Sequence, residues 1–220
     1  PYFPANPDDE FDITRTRITN WVVNDFFYHA VRTGEILFPY RDAVEIPELK
    51  GACDFWAINY YTRHFVTARN ASGTAKRYEC HKIRPIRNDF YLEEFYPQAL
   101  VDGLCRLKDL PVYITENGFC CDDDRLRILY IGRHLQALNE AMERGCDIRG
   151  YLYWSLMDNF EWWSFIPRFG MVGVDFKTFE RTPKPSAYLY REIIERNGLD
   201  RELLLKYLPE FKDWKIYPDK

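Results

Sequence analysis

Leu110-Pro-Val-Tyr-Ile-Thr-Glu-Asn-Gly-Phe119 decides the fold. Val112-Tyr-Ile-Thr115 is β-branched and aromatic, which favours a strand, and Asn117-Gly118 is a turn dipeptide. Alternation along a strand predicts that Val112, Ile114 and Glu116 share one face. Glu116 then stands at the carboxyl end of a buried strand, where parallel α/β folds collect their chemistry. Taken alone, the stretch also fits an ordinary glutamate at a strand-to-loop junction.

Two further stretches read the same way. Ala52-Cys-Asp-Phe-Trp-Ala-Ile-Asn-Tyr-Tyr61 and Ile148-Arg-Gly-Tyr-Leu-Tyr-Trp-Ser-Leu-Met157 are largely apolar on both faces, as strands covered on both sides are. Both end in polar and aromatic residues. Between the strands lie segments of helical period. The first runs from Phe11 through Ile18, Trp21, Val22, Phe26 and Ala30 to a stop at Thr33-Gly34, and should cover a sheet. Pro97 opens a second, with Leu100, Val101, Leu104 and Leu107 on one side. A third, after Asp122-Asp-Asp124, carries Ile128, Ile131, Leu135, Leu138 and Met142 and ends at Gly145. Ala187 to Arg196 is the last, followed by an aromatic tail with Phe211 and Trp214. Strands alternating with helices imply parallel β/α units. Three core strands do not close a (β/α)₈ barrel, which needs eight strands and about 250 residues.

The 220 residues are 46% hydrophobic and 17% aromatic, enough for a core. A net charge of -4 argues against a nucleic-acid binder. No run approaches the roughly 20 apolar residues of a membrane span. The six cysteines (Cys53, Cys80, Cys105, Cys120, Cys121 and Cys146) have no metal-ligand spacing with the four histidines and read as buried free thiols of a reducing compartment. The 35-residue connection Thr62 to Tyr96 is basic, with Arg63, Arg69, Lys76, Arg77, Lys82, Arg84 and Arg87, and fits either a solvated face or an anion site. Asn70-Ala-Ser72 matches a glycosylation triplet, a pattern common by chance. No phosphate-cradling glycine motif is present.

Asn59-Tyr-Tyr-Thr62, Ile114-Thr-Glu-Asn-Gly118, Trp154-Ser-Leu-Met-Asp-Asn-Phe-Glu-Trp162, Arg168-Phe-Gly170 and Val174-Asp175 occur in that order. With Arg127-x-x-Tyr130-x-x-x-His134 and Lys184-x-Ser-Ala187, this set resembles the carboxyl-terminal half of glycoside hydrolase family 1, the β-glucosidase-like retaining enzymes. The resemblance implies a partial (β/α)₈ TIM barrel, roughly strands six to eight with their helices, needing an amino-terminal segment to close. Residues 1–220 would be the carboxyl-terminal part of one catalytic domain.

By the same likeness Glu116 is the nucleophile, and Tyr61 orients it by donating to the carboxylate. Asn59 lines the pocket, Trp154 is the sugar platform, Glu161 and Trp162 read the hydroxyls of the terminal sugar, and Phe169 closes the pocket. The peptide Trp154-Ser155 is expected to be cis. Without the likeness, core packing is the simpler reading of Trp154 and Phe169. Asp158 and Asn159 should brace their loop, and Arg168 and Asp175 fit structural salt bridges. A retaining enzyme needs a second carboxylate about 5 to 5.5 Å from the nucleophile. In the family it lies in an Asn-Glu-Pro motif, which this chain lacks.

The reaction so implied is hydrolysis of a terminal, unphosphorylated β-linked sugar, inactive in this chain alone and without metal or organic cofactor. Its partners would be a β-glucoside and the amino-terminal half of the barrel, with neither nucleic acid nor membrane, in the cytoplasm. Glu161 argues against a phosphorylated sugar, because like charges repel. Trp163-Ser-Phe-Ile-Pro167 departs from the family in lacking a glycine and being short, which bears on the leaving-group side. A non-catalytic sugar-binding or interaction module is the rival, weakened by the joint presence of Glu116, Tyr61, Glu161 and Trp162.

Overall fold

The computed structural model describes residues 1–68 and 86–210. The Asn70 triplet, Cys80, Phe211, Trp214 and the basic residues Arg69, Lys76, Arg77, Lys82 and Arg84 lie outside the described residues. In chain order the elements are β1 (Tyr2–Pro4), α1 (Glu10–Asn20), a π-turn (Trp21–Asp25), α2 (Phe26–Thr33), β2 (Glu35–Ile36), β3 (Val44–Glu45), β4 (Trp56–Asn59) and β5 (His64–Val66). Then come α3 (Gln98–Leu104), β6 (Val112–Asn117), α4 (Asp124–Glu143), β7 (Ile148–Tyr153), β8 (Val172–Val174), β9 (Arg181–Pro183), α5 (Pro185–Arg196) and α6 (Arg201–Tyr207). The described residues divide into two compact units, 1–56 with 63–68 and 57–62 with 86–210.

In the first unit, Asp9 caps α1 by accepting from the Phe11 amide. Gly34, at φ 84°, ends α2 in the left-handed region that glycine enters without penalty. The expected single helix is interrupted by the π-turn, which shifts the phase of its apolar positions. The buried residues of α1 are Asp12 and Thr16, while Phe11 and, in the π-turn, Val22 are exposed. Asp12 is satisfied there by the amides of Asn6 (3.0 Å) and Ala68 (2.6 Å). Helix α1 packs on the parallel pair β1–β5, and β2–β3 form a short hairpin.

The second unit holds the three predicted core strands, side by side in the order β4-β6-β7, with β6 and β7 parallel. They form an α/β segment of the barrel type, and no closed barrel exists among the described residues. Each strand is shorter than its apolar stretch, because the flanking residues leave the ladder. Helix α4 starts on the Asp123 cap and is buried nearly all round from Arg127 to Gly132, including Ile128, Leu129, Tyr130 and Ile131. These pack with Phe95, Phe119, Tyr153, Leu189 and Leu204 into the core of the unit. In this unit the β8–β9 hairpin and the short helix α6 escaped the sequence reading, as did the short strands β1, β2, β3 and β5 of the first unit.

Strict alternation fails at the end of β6. Val112 and Ile114 are buried, but a register shift between Ile114 and Asn117 makes Asn117, not Glu116, the next fully buried side chain. This corrects the predicted face. The bulge turns Glu116 off the core side and leaves it half-buried.

Candidate active site

The ends of β4, β6 and β7 converge because backbones approach closely there. A Cβ on Gly118 would lie 1.8 Å from the Trp154 carbonyl oxygen, and one on Gly170 would lie 2.1 Å from the Asp158 nitrogen. Only glycine fits at these contacts. Asn117, fully buried, binds three neighbours: its Nδ2 donates to the Tyr60 carbonyl (2.7 Å) and the Tyr130 hydroxyl (2.9 Å), and its Oδ1 accepts from the Tyr151 hydroxyl (2.9 Å). The Tyr60 amide bonds the Glu116 carbonyl at 2.9 Å, so the Glu116 backbone is held on the adjacent strand end.

The Tyr61 hydroxyl donates to Glu116 Oε2 at 2.7 Å. Burial, then the bond to Glu116, raises the Tyr61 hydroxyl far above the ordinary tyrosine range, so Tyr61 keeps its proton and acts as a hydrogen-bond donor to Glu116. Trp154 Nε1 donates to Glu161 Oε1 at 2.8 Å, and the Trp154-Ser155 peptide is cis, as the resemblance implied. Burial pushes the Glu161 carboxyl above its usual range, and the neighbouring Glu116 charge acts in the same sense, against the hydrogen bonds from Trp154 and Asn159. Phe169 is buried with its ring edge-on to Tyr61, centroids 6.1 Å apart.

Glu116, Tyr61, Trp154, Glu161, Trp162 and Phe169 line one cavity of about 520 Å³. Trp162 is 73% exposed and has φ 56°, a left-handed conformation unusual for a tryptophan. Asn59 is not among the lining residues; it is exposed, and its Oδ1 accepts from Thr115 at 2.7 Å. Tyr91, Glu93 and Phe160 also line the cavity and were not singled out from the sequence. Tyr91 and Glu93 sit in the long connection, which has no periodicity to give them away; the one signal was an acidic pair, Glu93-Glu94, in a basic stretch.

The supporting residues divide as expected except at one position. Asp158 braces the loop, accepting from the Gly170 amide (2.9 Å) with Lys184 (3.6 Å) and Arg168 (3.7 Å) close by. Asn159 donates to Ser155. Asp175 instead forms a turn, accepting from the Lys177 and Thr178 amides. Arg127, fully buried, donates to the Cys121 and Arg168 carbonyls and pairs with Asp124, tying the start of α4 to two loops. Among the described residues no group of three or more His, Cys, Asp or Glu is placed to hold a metal, and no helix is long and apolar enough to cross a membrane.

The model of the family described as Glycosyl hydrolase family 1 matches residues 24–199. The chain belongs to this family. It is 35% identical over 215 residues to the beta-galactosidase of Sulfolobus acidocaldarius, covering 92% of this chain and 42% of that protein. It is 30% identical over 246 residues to the 6-phospho-beta-galactosidase of Staphylococcus haemolyticus, covering 89% of this chain and 52% of the relative. The structure of the beta-glycosidase from Pyrococcus horikoshii superposes with a TM-score of 0.78 at 34% identity, covering 94% of this chain and 49% of that one. The chain thus spans about half the length of the family members it matches.

Proposed function

We propose that the chain carries the nucleophile side of a retaining β-glycosidase site, as the carboxyl-terminal part of one (β/α)₈ catalytic domain. The observation that carries this is the Tyr61–Glu116 hydrogen bond at 2.7 Å, set in a cavity with Trp154, Glu161 and Trp162. Glu116 attacks the anomeric carbon, the bond to the leaving-group oxygen breaks, and water later hydrolyses the glycosyl-enzyme. Tyr61 holds one carboxylate oxygen and leaves the other for attack. Trp154 offers an apolar face to the ring, Glu161 accepts from its hydroxyls, and the Trp162 indole N–H donates to a neighbouring one. Phe169 closes the wall behind Tyr61. Asn59 joins this pocket only by turning from Thr115.

The acid/base carboxylate is supplied by a segment beyond this chain, a reading supported by the absence of Asn-Glu-Pro and by the roughly doubled length of the relatives. The substrate is a terminal, unphosphorylated β-glycoside, glucoside-like, because a cavity holding Glu116 and Glu161 repels a phosphate.

A 2-fluoro glycoside with an activated leaving group tests the reading on the chain itself, since trapping needs the nucleophile and little acid assistance. The expected result is one added sugar mass at Glu116, lost in Glu116→Gln. An unlabelled chain, or a label elsewhere, would favour a sugar-binding module without catalysis.

A further inference from the structure

The cavity contains a carboxylate to which the site above gives no work. Glu93 comes from a different loop from Glu161 and lines the same space as Glu116. The loop is firmly built. The Asn88 amide bonds the Glu93 carbonyl at 2.9 Å, and Asn88, 1% exposed, donates from Nδ2 to Glu93 Oε2 at 2.8 Å. Asp89 ties the loop to the segment after β6, its amide donating to the Cys120 carbonyl (3.0 Å) and its Oδ2 accepting from the Asp122 amide (3.0 Å). Tyr91, on the same loop, tilts against Phe169 with centroids 6.1 Å apart, so this wall meets the wall behind Tyr61.

A glutamate held this way usually answers a cation. Among the described residues no Lys, Arg or His lines the cavity and Glu93 has no ion pair. Asn88 occupies one oxygen only. Two of the cavity carboxylates show one pattern: Glu116 is held at one oxygen by Tyr61 and Glu93 at one oxygen by Asn88, while Glu161 interacts with both Trp154 and Asn159. Glu116 and Glu93 each keep a second oxygen for a ligand.

We propose that Glu93 is a specificity-determining residue of this site, reading hydroxyl or ammonium donors of the bound glycoside and rejecting anionic ones. This rests on the glycosidase reading and adds a second recognition point on a separate loop. A charged acceptor bonds a sugar hydroxyl about twice as strongly as a neutral one. Three carboxylates around one ligand also make a phosphate or uronate costly to seat.

The test uses the chain as it stands, with Trp154 and Trp162 as intrinsic fluorescence reporters. The probes are an isofagomine-type iminosugar, protonated near neutral pH, and its uncharged lactam. Glu93→Gln keeps the shape and an acceptor for Asn88, and its fold is checked by an unchanged melting curve. The expected result is a fall of about tenfold in the cation-over-lactam affinity ratio. Glu93→Lys should in addition bind phenyl β-glucoside 6-phosphate at least tenfold more tightly than the parent does. Ratios within twofold of the parent in both variants, while Glu116→Gln still lowers the ratio, would overturn the role of Glu93 and leave the glycosidase reading standing. If the parent binds neither probe and also fails to take the 2-fluoro label, the glycosidase reading falls, and this proposal with it.

Discussion

Tyr61 and Glu116 are 55 positions apart and 2.7 Å apart in space, so a single hydroxyl isolates their coupling. Tyr61→Phe keeps the ring against Phe169 and removes only that donor. A hydrogen bond to a charged group is worth about 1.5–3 kcal/mol, so the rate of 2-fluoro labelling is expected to fall about 10- to 100-fold with little change in melting temperature. Mass spectrometry over time checks it. His134 offers a second residue-scale test. It is fully buried between Phe95 and Tyr130, its Nδ1–H facing the Tyr130 carbonyl, and burial lowers its ring to about 3. The unfolded chain binds a proton near the usual histidine value of 6.5 and the folded chain does not. Its stability contribution is therefore complete above 6.5 and lost as pH falls from there towards 3, by about 1 kcal/mol per pH unit. Denaturant titrations between pH 7 and pH 4.5 should show a shallower loss in His134→Phe than in the parent.

At the scale of elements, the strand and helix order was legible because apolar runs and helical periods are local signals. Glu116, Tyr61, Trp154, Glu161 and Trp162 were legible because each follows a strand or sits in a dense motif. What escaped detection depends on distant partners. The bulge that turns Glu116 off the core side is set by pairing with β7, and Glu93 gains its place only through Asn88 and the segment after β6. The cysteines follow the same rule: the described ones are free, but Cys53 and Cys105 are only half-buried. Cys105 at the end of α3 and Cys146 before β7 place their sulfurs 3.8 Å apart, 41 positions apart in sequence. Oxidised glutathione is expected to join them, releasing two reduced glutathiones, with a two-dalton mass loss absent in Cys105→Ser. Closing such a loop should add up to about 4 kcal/mol against denaturation. Gly118→Ala forces a Cβ against the Trp154 carbonyl and is expected to abolish labelling, with a melting temperature lowered by several degrees.

For the whole molecule, three strands in a row leave β4 and β7 as open edges among the described residues, beside exposed Leu152, Leu156 and Phe160. An unpaired parallel sheet with apolar neighbours associates readily. The purified chain is expected to bind a hydrophobic dye, and to show negligible turnover of an aryl β-glucoside until a polypeptide carrying the second carboxylate is added. Full turnover by the chain alone would contradict the division of the catalytic pair proposed above. Asn117 has one more implication. It anchors Tyr60, Tyr130 and Tyr151 from beneath Glu116 without lining the cavity, and its carbonyl accepts from the amide of Trp154 (2.9 Å), whose indole in turn donates to Glu161. One chain of hydrogen bonds thus runs from the end of β6 through Trp154 to Glu161, so a graft of the Glu161 loop from a relative would have to carry Trp154 with it to leave the Glu116 strand end undisturbed.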